Sequence, residues 1–110
     1  MDTYLRALVE LQEHLARHKV AGWTERLHDW AAEWKLAPPS RAREHMERTR
    51  QSLSGMGSLG DIVISSEAGD SDVKTPAERK QANERLQVLV DRLYDVVTEA
   101  LREDVHSVRR

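Results

Sequence analysis

The chain contains no cysteine and no phenylalanine, and it has only three prolines and five glycines among its 110 residues. Without cysteine it can form no disulfide, offers no thiolate nucleophile and lacks the common zinc ligand sets, a composition that suits a reducing compartment. Long apolar runs are missing too: a membrane-spanning helix takes about 18 or more such residues in succession, and no stretch approaches that. The start, Met1-Asp2-Thr3-Tyr4-Leu5-Arg6, passes directly into an amphipathic pattern, without the basic residues and apolar block of an export signal. The expectation is a water-soluble, cytoplasmic protein. An excess of positive charge is also lacking. Seventeen Lys and Arg against nineteen Asp and Glu give a formal charge of −2, so no general basic field draws the chain to nucleic acid or anionic lipid. The length fits a single domain, 1–110, stabilised by packing alone. With the aromatics limited to Tyr4, Trp23, Trp30, Trp34 and Tyr94, its core falls to Leu, Val, Ala and tryptophan.

What is present is helical periodicity. Tyr4, Leu5, Leu8, Leu11 and Leu15, with Val9 beside them, recur at three- and four-residue steps and predict a first helix over 3–19, with Gly22 as an end signal. Trp23, Leu27, Trp30 and Trp34 follow at steps of four, three and four, so a second helix over 23–36 is expected to bury all three tryptophans on one face. Pro38-Pro39 stops it, since proline lacks an amide donor and disfavours a helical residue before it. Ser40 is placed to cap a third helix over 40–53. That helix has a thin stripe of Ala42, His45, Met46, Thr49 and Leu53 among charged neighbours. Thr75-Pro76-Ala77-Glu78 combines a cap residue, proline at the first helical position and a nearby acid. It opens a last helix over 76–104, whose apolar face is Ala82, Leu86, Leu89, Val90, Leu93, Val97, Ala100 and Leu101. The tail 105–110 is expected to fray. Val88, Tyr94 and Val96 widen the stripe of the last helix and make a homodimer a possible assembly.

Between the third and fourth helices lies a segment that helix packing does not explain. In Ser54-Gly55-Met56-Gly57-Ser58-Leu59-Gly60-Asp61-Ile62-Val63-Ile64, glycines open backbone angles closed to other residues, while the aliphatics are too apolar for a solvated linker. Gly55 and Gly57 are placed to end the third helix, and Ser58 with Asp61 to cap a short helical turn; a strand over 61–65 is the alternative, but it has no partner strand. The glycines do not form a phosphate loop, because no lysine and hydroxyl follow the last one. Residues 65–74 then form a polar, acidic stretch with the composition of a mobile loop.

Catalytic and metal-binding patterns are sparse. His14 and His18 lie one turn apart, but Leu15 stands where a metalloprotease motif needs glutamate, and a solvated helix face is expected there. No nucleophile, histidine and acid assemble into a triad. Arg41, Arg43, Arg48 and Arg50 could meet phosphates, yet Glu44 and Glu47 interleave with them and predict an ion-paired face. No catalytic residue, metal or cofactor is therefore expected, and neither a membrane nor nucleic acid is an expected partner.

The run Gly55-Met56-Gly57-Ser58-Leu59-Gly60-Asp61-Ile62-Val63-Ile64, with a tryptophan-bearing helix before it and an acidic loop and a final helix after it, resembles a family of small uncharacterised helical bacterial proteins. Its members carry Gly-Gly-Met-Gly-Ser, a bulky apolar residue, Asn-Asp and two or three aliphatics; this chain departs from that pattern at Ser54 and Gly60. The structural motif is Gly55, Met56, Gly57, Ser58 and Asp61. Such proteins resemble the immunity partners encoded beside secreted antibacterial toxins. The resemblance implies an all-α, four-helix bundle-like domain that works by binding and neutralising a cognate toxin from a neighbouring gene, and not by catalysis. Asp61, Glu67, Asp70 and Asp72 are then the expected partner-binding residues, facing a basic cleft. The alternative is a homodimeric helical regulator or adaptor.

Overall fold

In the computed structural model the described residues are 2–18, 21–53 and 75–109. They form an all-α domain with four α-helices: α1 (Thr3–Arg17), α2 (Ala21–Leu36), α3 (Ala42–Leu53) and α4 (Pro76–Arg102). A 3-10 turn, Pro39–Arg41, precedes α3, and a 3-10 segment, Val105–Arg109, follows α4. The glycine-rich connection and the acidic loop expected over 54–74 lie outside the described residues.

Each helix starts or stops for a local reason. Asp2 caps α1 by accepting from the Leu5 amide at 2.9 Å. At the start of α4, the Glu78 amide donates to Thr75 Oγ1 at 3.1 Å, while the Thr75 amide donates to the Glu78 carboxylate at 3.4 Å. This reciprocal capping box, with Pro76 at the first helical position, satisfies amides that have no intrahelical partner. Two boundaries differ from the sequence reading. Gly22 lies in the first turn of α2 and does not terminate α1, which ends at Arg17 with His18 as its cap. Ser40 sits inside the 3-10 turn, where the extended backbone of Pro38 leads in, and α3 begins only at Ala42.

α1 packs between α2 and α4, and α3 packs on the other flank of α4. The buried face of α4 consists of the eight residues that the spacing predicts, Ala82 to Leu101, and α3 buries Ala42, His45, Met46, Thr49 and Leu53. At 1.5 Å per residue, the 27 residues of α4 run for about 40 Å, long enough to serve both α1 and α3. Of the tryptophans only Trp34 is fully enclosed; Trp23 and Trp30 pack against the rim of the core and stay half-buried. They lie at the edge of the stripe that carries the buried Leu27 and Trp34. Tyr94 and Val96 also pack on the core, leaving Val88, 51% exposed, on the outer face of α4.

The C-terminal segment does not fray as expected. Val105 and Val108 are buried where α1, α3 and α4 meet, and the Thr3 hydroxyl donates to the Val108 carbonyl at 3.5 Å. Two aliphatics three residues apart fall on one face of a 3-10 helix, a signal too short to stand out as periodicity. V108A is expected to lower stability by about 2 kcal/mol in urea unfolding, the transfer cost of two buried methyl groups plus the space they leave. A fraying tail would give no change.

Candidate functional site

The described residues hold one dense polar cluster inside the apolar core, where α1, α2 and α3 converge. Tyr4 on α1 is fully buried. Its hydroxyl lies 2.7 Å from His45 Nε2 and 2.8 Å from Thr49 Oγ1, two residues one turn apart on α3. Thr49 in turn donates to the His45 carbonyl at 3.1 Å. Trp34 closes the cluster from α2, with its ring 5.1 Å from Tyr4 in an edge-to-face arrangement and 5.4 Å from the His45 ring. The Trp34 indole donates to Asp2 Oδ2 at 2.7 Å, so the same carboxylate caps α1 and fixes α2.

Counting protons assigns the histidine tautomer. The three contacts among Tyr4, Thr49 and His45 need three protons, and they all receive one only if His45 carries its proton on Nε2. Nε2–H then donates to Tyr4, Tyr4 donates to Thr49, and Thr49 donates to the His45 carbonyl. Nδ1 faces Glu33 Oε1 at 3.6 Å, and that carboxylate favours a second proton on the ring. Burial pulls the His45 pKa below its ordinary value, against the attraction of the Glu33 carboxylate. Burial also acts to raise the Glu33 pKa, but the hydrogen bond from Arg48, together with the charges of His45 and Arg48, outweighs it and lowers that pKa. Glu33 and Arg48 form an ion pair at the rim between α2 and α3.

Glu33, His45 and Tyr4 stand in the order of a carboxylate, base and nucleophile relay, but Tyr4 is ill suited to attack anything. Its hydroxyl has two internal partners, no part of it reaches solvent, and burial holds its pKa well above the ordinary tyrosine range. The cluster is suited to joining three helices. Above it, α2 and α3 flank a cleft of about 390 Å³ whose walls include Arg26, Trp30, Glu33 and Arg48. On the same side of α2, Trp23 and Trp30 meet edge to face at 6.1 Å, and the Arg26 guanidinium lies 4.6 Å from the centre of the Trp23 ring.

Among the residues singled out in the sequence, Asp61, Glu67, Asp70 and Asp72, together with Gly55, Met56, Gly57 and Ser58, lie outside the described residues. His14 differs from expectation: it is 8% exposed, and its Nε2 donates to the Ala82 carbonyl of α4 at 2.9 Å. It does not lie on a solvated face, because α4 passes close over that side of α1. Its ring lies 4.8 Å from that of His18, but no group of three or more metal-ligating side chains occurs among the described residues. The arginine face of α3 is ion-paired as the interleaved charges predict, through Arg41 with Glu44, Arg43 with Glu47, and Arg48 with Glu33 across to α2. No helix among the described residues is long and apolar enough to cross a membrane. The chain matches no known protein family, no curated protein and no solved structure.

The buried histidines make stability depend on pH. Burial lowers the pKa of both His14 and His45, so the unfolded chain binds their protons more readily than the folded one. Their contribution is complete above the usual histidine value of about 6.5 and declines as pH falls below it. The depressed Glu33 pKa adds a further loss at lower pH, below the ordinary glutamate range. Thermal unfolding followed from pH 7.5 down to pH 5 is expected to show a falling melting temperature, with a shallower slope in the H14Q and H45Q variants. Equal slopes in all three proteins would contradict the assignment.

Proposed function

We propose that this protein is a non-enzymatic protein-binding module that acts as an immunity protein, binding and neutralising a cognate bacterial toxin. The observation that carries the reading is the partly exposed Trp23, Arg26 and Trp30 group on α2. Tryptophan and arginine are among the residue types that most often anchor protein interfaces, and here they are prearranged by ring and cation contacts, with the half-exposed tryptophans at the rim of the core. The neighbouring Glu33–Arg48 pair supplies a charged rim. The resemblance of the Gly55 to Ile64 run to small helical bacterial proteins, and of these to immunity partners, points the same way. The enclosed Tyr4 hydroxyl favours binding over catalysis, because among the described residues the most enzyme-like set of side chains is committed to joining helices. A homodimeric regulator or adaptor is the second reading, favoured by the exposed Val88 on α4.

Co-expression with the product of the adjacent gene in a heterologous bacterium tests the leading reading. Survival together with co-purification is expected, and W23A/W30A is expected to abolish both while keeping the helical circular dichroism spectrum. A harmless neighbour, or a complex indifferent to the double substitution, contradicts the reading or its placement on α2. Val88→Asp should leave rescue unchanged under the immunity reading and split the dimer under the second.

A further inference from the structure

One carboxylate oxygen at the junction of α2 and α3 faces two cationic or ionisable groups. Glu33 Oε1 accepts from Arg48 and also lies 3.6 Å from His45 Nδ1. The set runs from the core outwards: His45 is 2% exposed, whereas the Glu33 and Arg48 side chains are 42% and 59% exposed. On its inner side, His45 Nε2 bonds the Tyr4 hydroxyl. On its outer side, Glu33 shares a face of α2 with Arg26 and Trp30, seven and three residues earlier, and lines the same cleft. His45 therefore connects the interior cluster to the rim of that cleft.

The groups around the His45 ring are few. Tyr4 faces it from α1, with Asp2 beyond, bonded to Trp34; Glu33 faces it from α2. On its own side stand Arg48 and the paired Arg41 and Glu44. Arg43, which reaches Leu101 of α4, is two residues away and so on the opposite side of α3. With Nε2–H donating to Tyr4, a second proton from solvent can enter only at Nδ1, and the imidazolium keeps the Tyr4 bond. At 3.6 Å, Nδ1 and Oε1 stand just beyond hydrogen-bond reach. A protonated Nδ1 closes that gap by drawing in the oxygen that holds Arg48, and two positive charges one turn apart on α3 repel.

We propose that His45 and Arg48 compete for Glu33 Oε1, so that a proton on His45 Nδ1 draws Glu33 inward, loosens Arg48 and makes the rim of the α2–α3 cleft sensitive to acid. Burial holds the His45 pKa below the ordinary histidine value, against the pull of Glu33, which places the switch below about pH 6.5. Against its own burial, the hydrogen bond from Arg48 and the charges of His45 and Arg48 keep the Glu33 carboxyl below the ordinary glutamate range, so it stays ionised while His45 titrates. The consequence for a partner rests on the binding role assigned to this face of α2. The switch itself is a property of the free chain, so its test needs no partner and can fail or succeed independently of that role.

Proton–nitrogen spectra of the free protein from pH 7.5 to 5 follow the His45 ring and the Arg48 Nε–H. Both signals are expected to move with one midpoint below pH 6.5, and the Arg48 guanidinium protons to exchange faster than in H45Q at the same pH. In H45Q the Arg48 signal should stay constant over this range. E33Q is expected to lower the His45 midpoint by about 0.5 pH unit or more, and R48Q to raise it by a similar amount; both replace exposed side chains and should keep the helical circular dichroism spectrum. His45 staying neutral until the chain unfolds, Arg48 titrating or exchanging alike in H45Q, or a midpoint indifferent to both E33Q and R48Q overturns the proposal.

Discussion

A phenol hydroxyl shut away from water must find its partners within the protein, because an unpaired polar group in the interior costs more than a typical hydrogen bond returns. Tyr4 meets that demand through His45 and Thr49, and the demand fixes much of the fold. The two partners stand one turn apart on α3, so α3 can approach α1 in only one register. Trp34 then covers the cluster from α2 and ties itself to Asp2, which is also the cap of α1. Apolar packing brings α1 against α2 and α4 without a strong preference for rotation or sliding. Directional hydrogen bonds provide that preference.

The same constraint shapes the surface. Because α3 joins α2 through side chains at Tyr4, Trp34 and the Glu33–Arg48 pair, the two helices stand apart along the rest of their length and leave a cleft with Trp30 on its wall. On its other flank α3 lies on α4, where Arg43 donates to the Leu101 carbonyl near the end of that helix. The cleft between α2 and α3, aromatic and rimmed by charge, therefore rests on the placement of α3.

The helices themselves were largely legible in the sequence, because 3.6-residue periodicity survives wherever a helix has one buried face. The stripes of α3 and α4 match the buried residues. What periodicity could not reveal was which polar members of a stripe are buried with partners. His45 and Thr49 stand in the thin stripe of the third helix, but nothing local identifies Tyr4, some 40 residues earlier, as the group that satisfies them. His14 shows the same limit: its burial depends on where α4 crosses α1, a distance of 68 residues along the chain. The tryptophan spacing located a face but overstated its burial, since Trp34 is fully buried while Trp23 and Trp30 at the edge of the stripe are half-buried. The buried tail escaped notice because two valines three apart are too few to form a pattern. The most conspicuous sequence feature, the glycine-rich run and the acids after it, falls outside the described residues, so the candidate sites here come from elsewhere in the chain.

The central claim is that the hydroxyl of Tyr4 couples α1 to α3 through directed hydrogen bonds and not through packing alone. A double-mutant cycle of Tyr4→Phe and Thr49→Val, each close in shape to the residue it replaces, measures that coupling directly by urea unfolding. Residues in one hydrogen-bond network show interaction energies of about 0.5–3 kcal/mol. The account predicts that the double variant is less destabilised than the sum of the two single variants by about 1 kcal/mol or more, because the second substitution removes a partner already lost. Additivity to within about 0.3 kcal/mol would show that the two hydroxyls act independently and that packing alone sets the register.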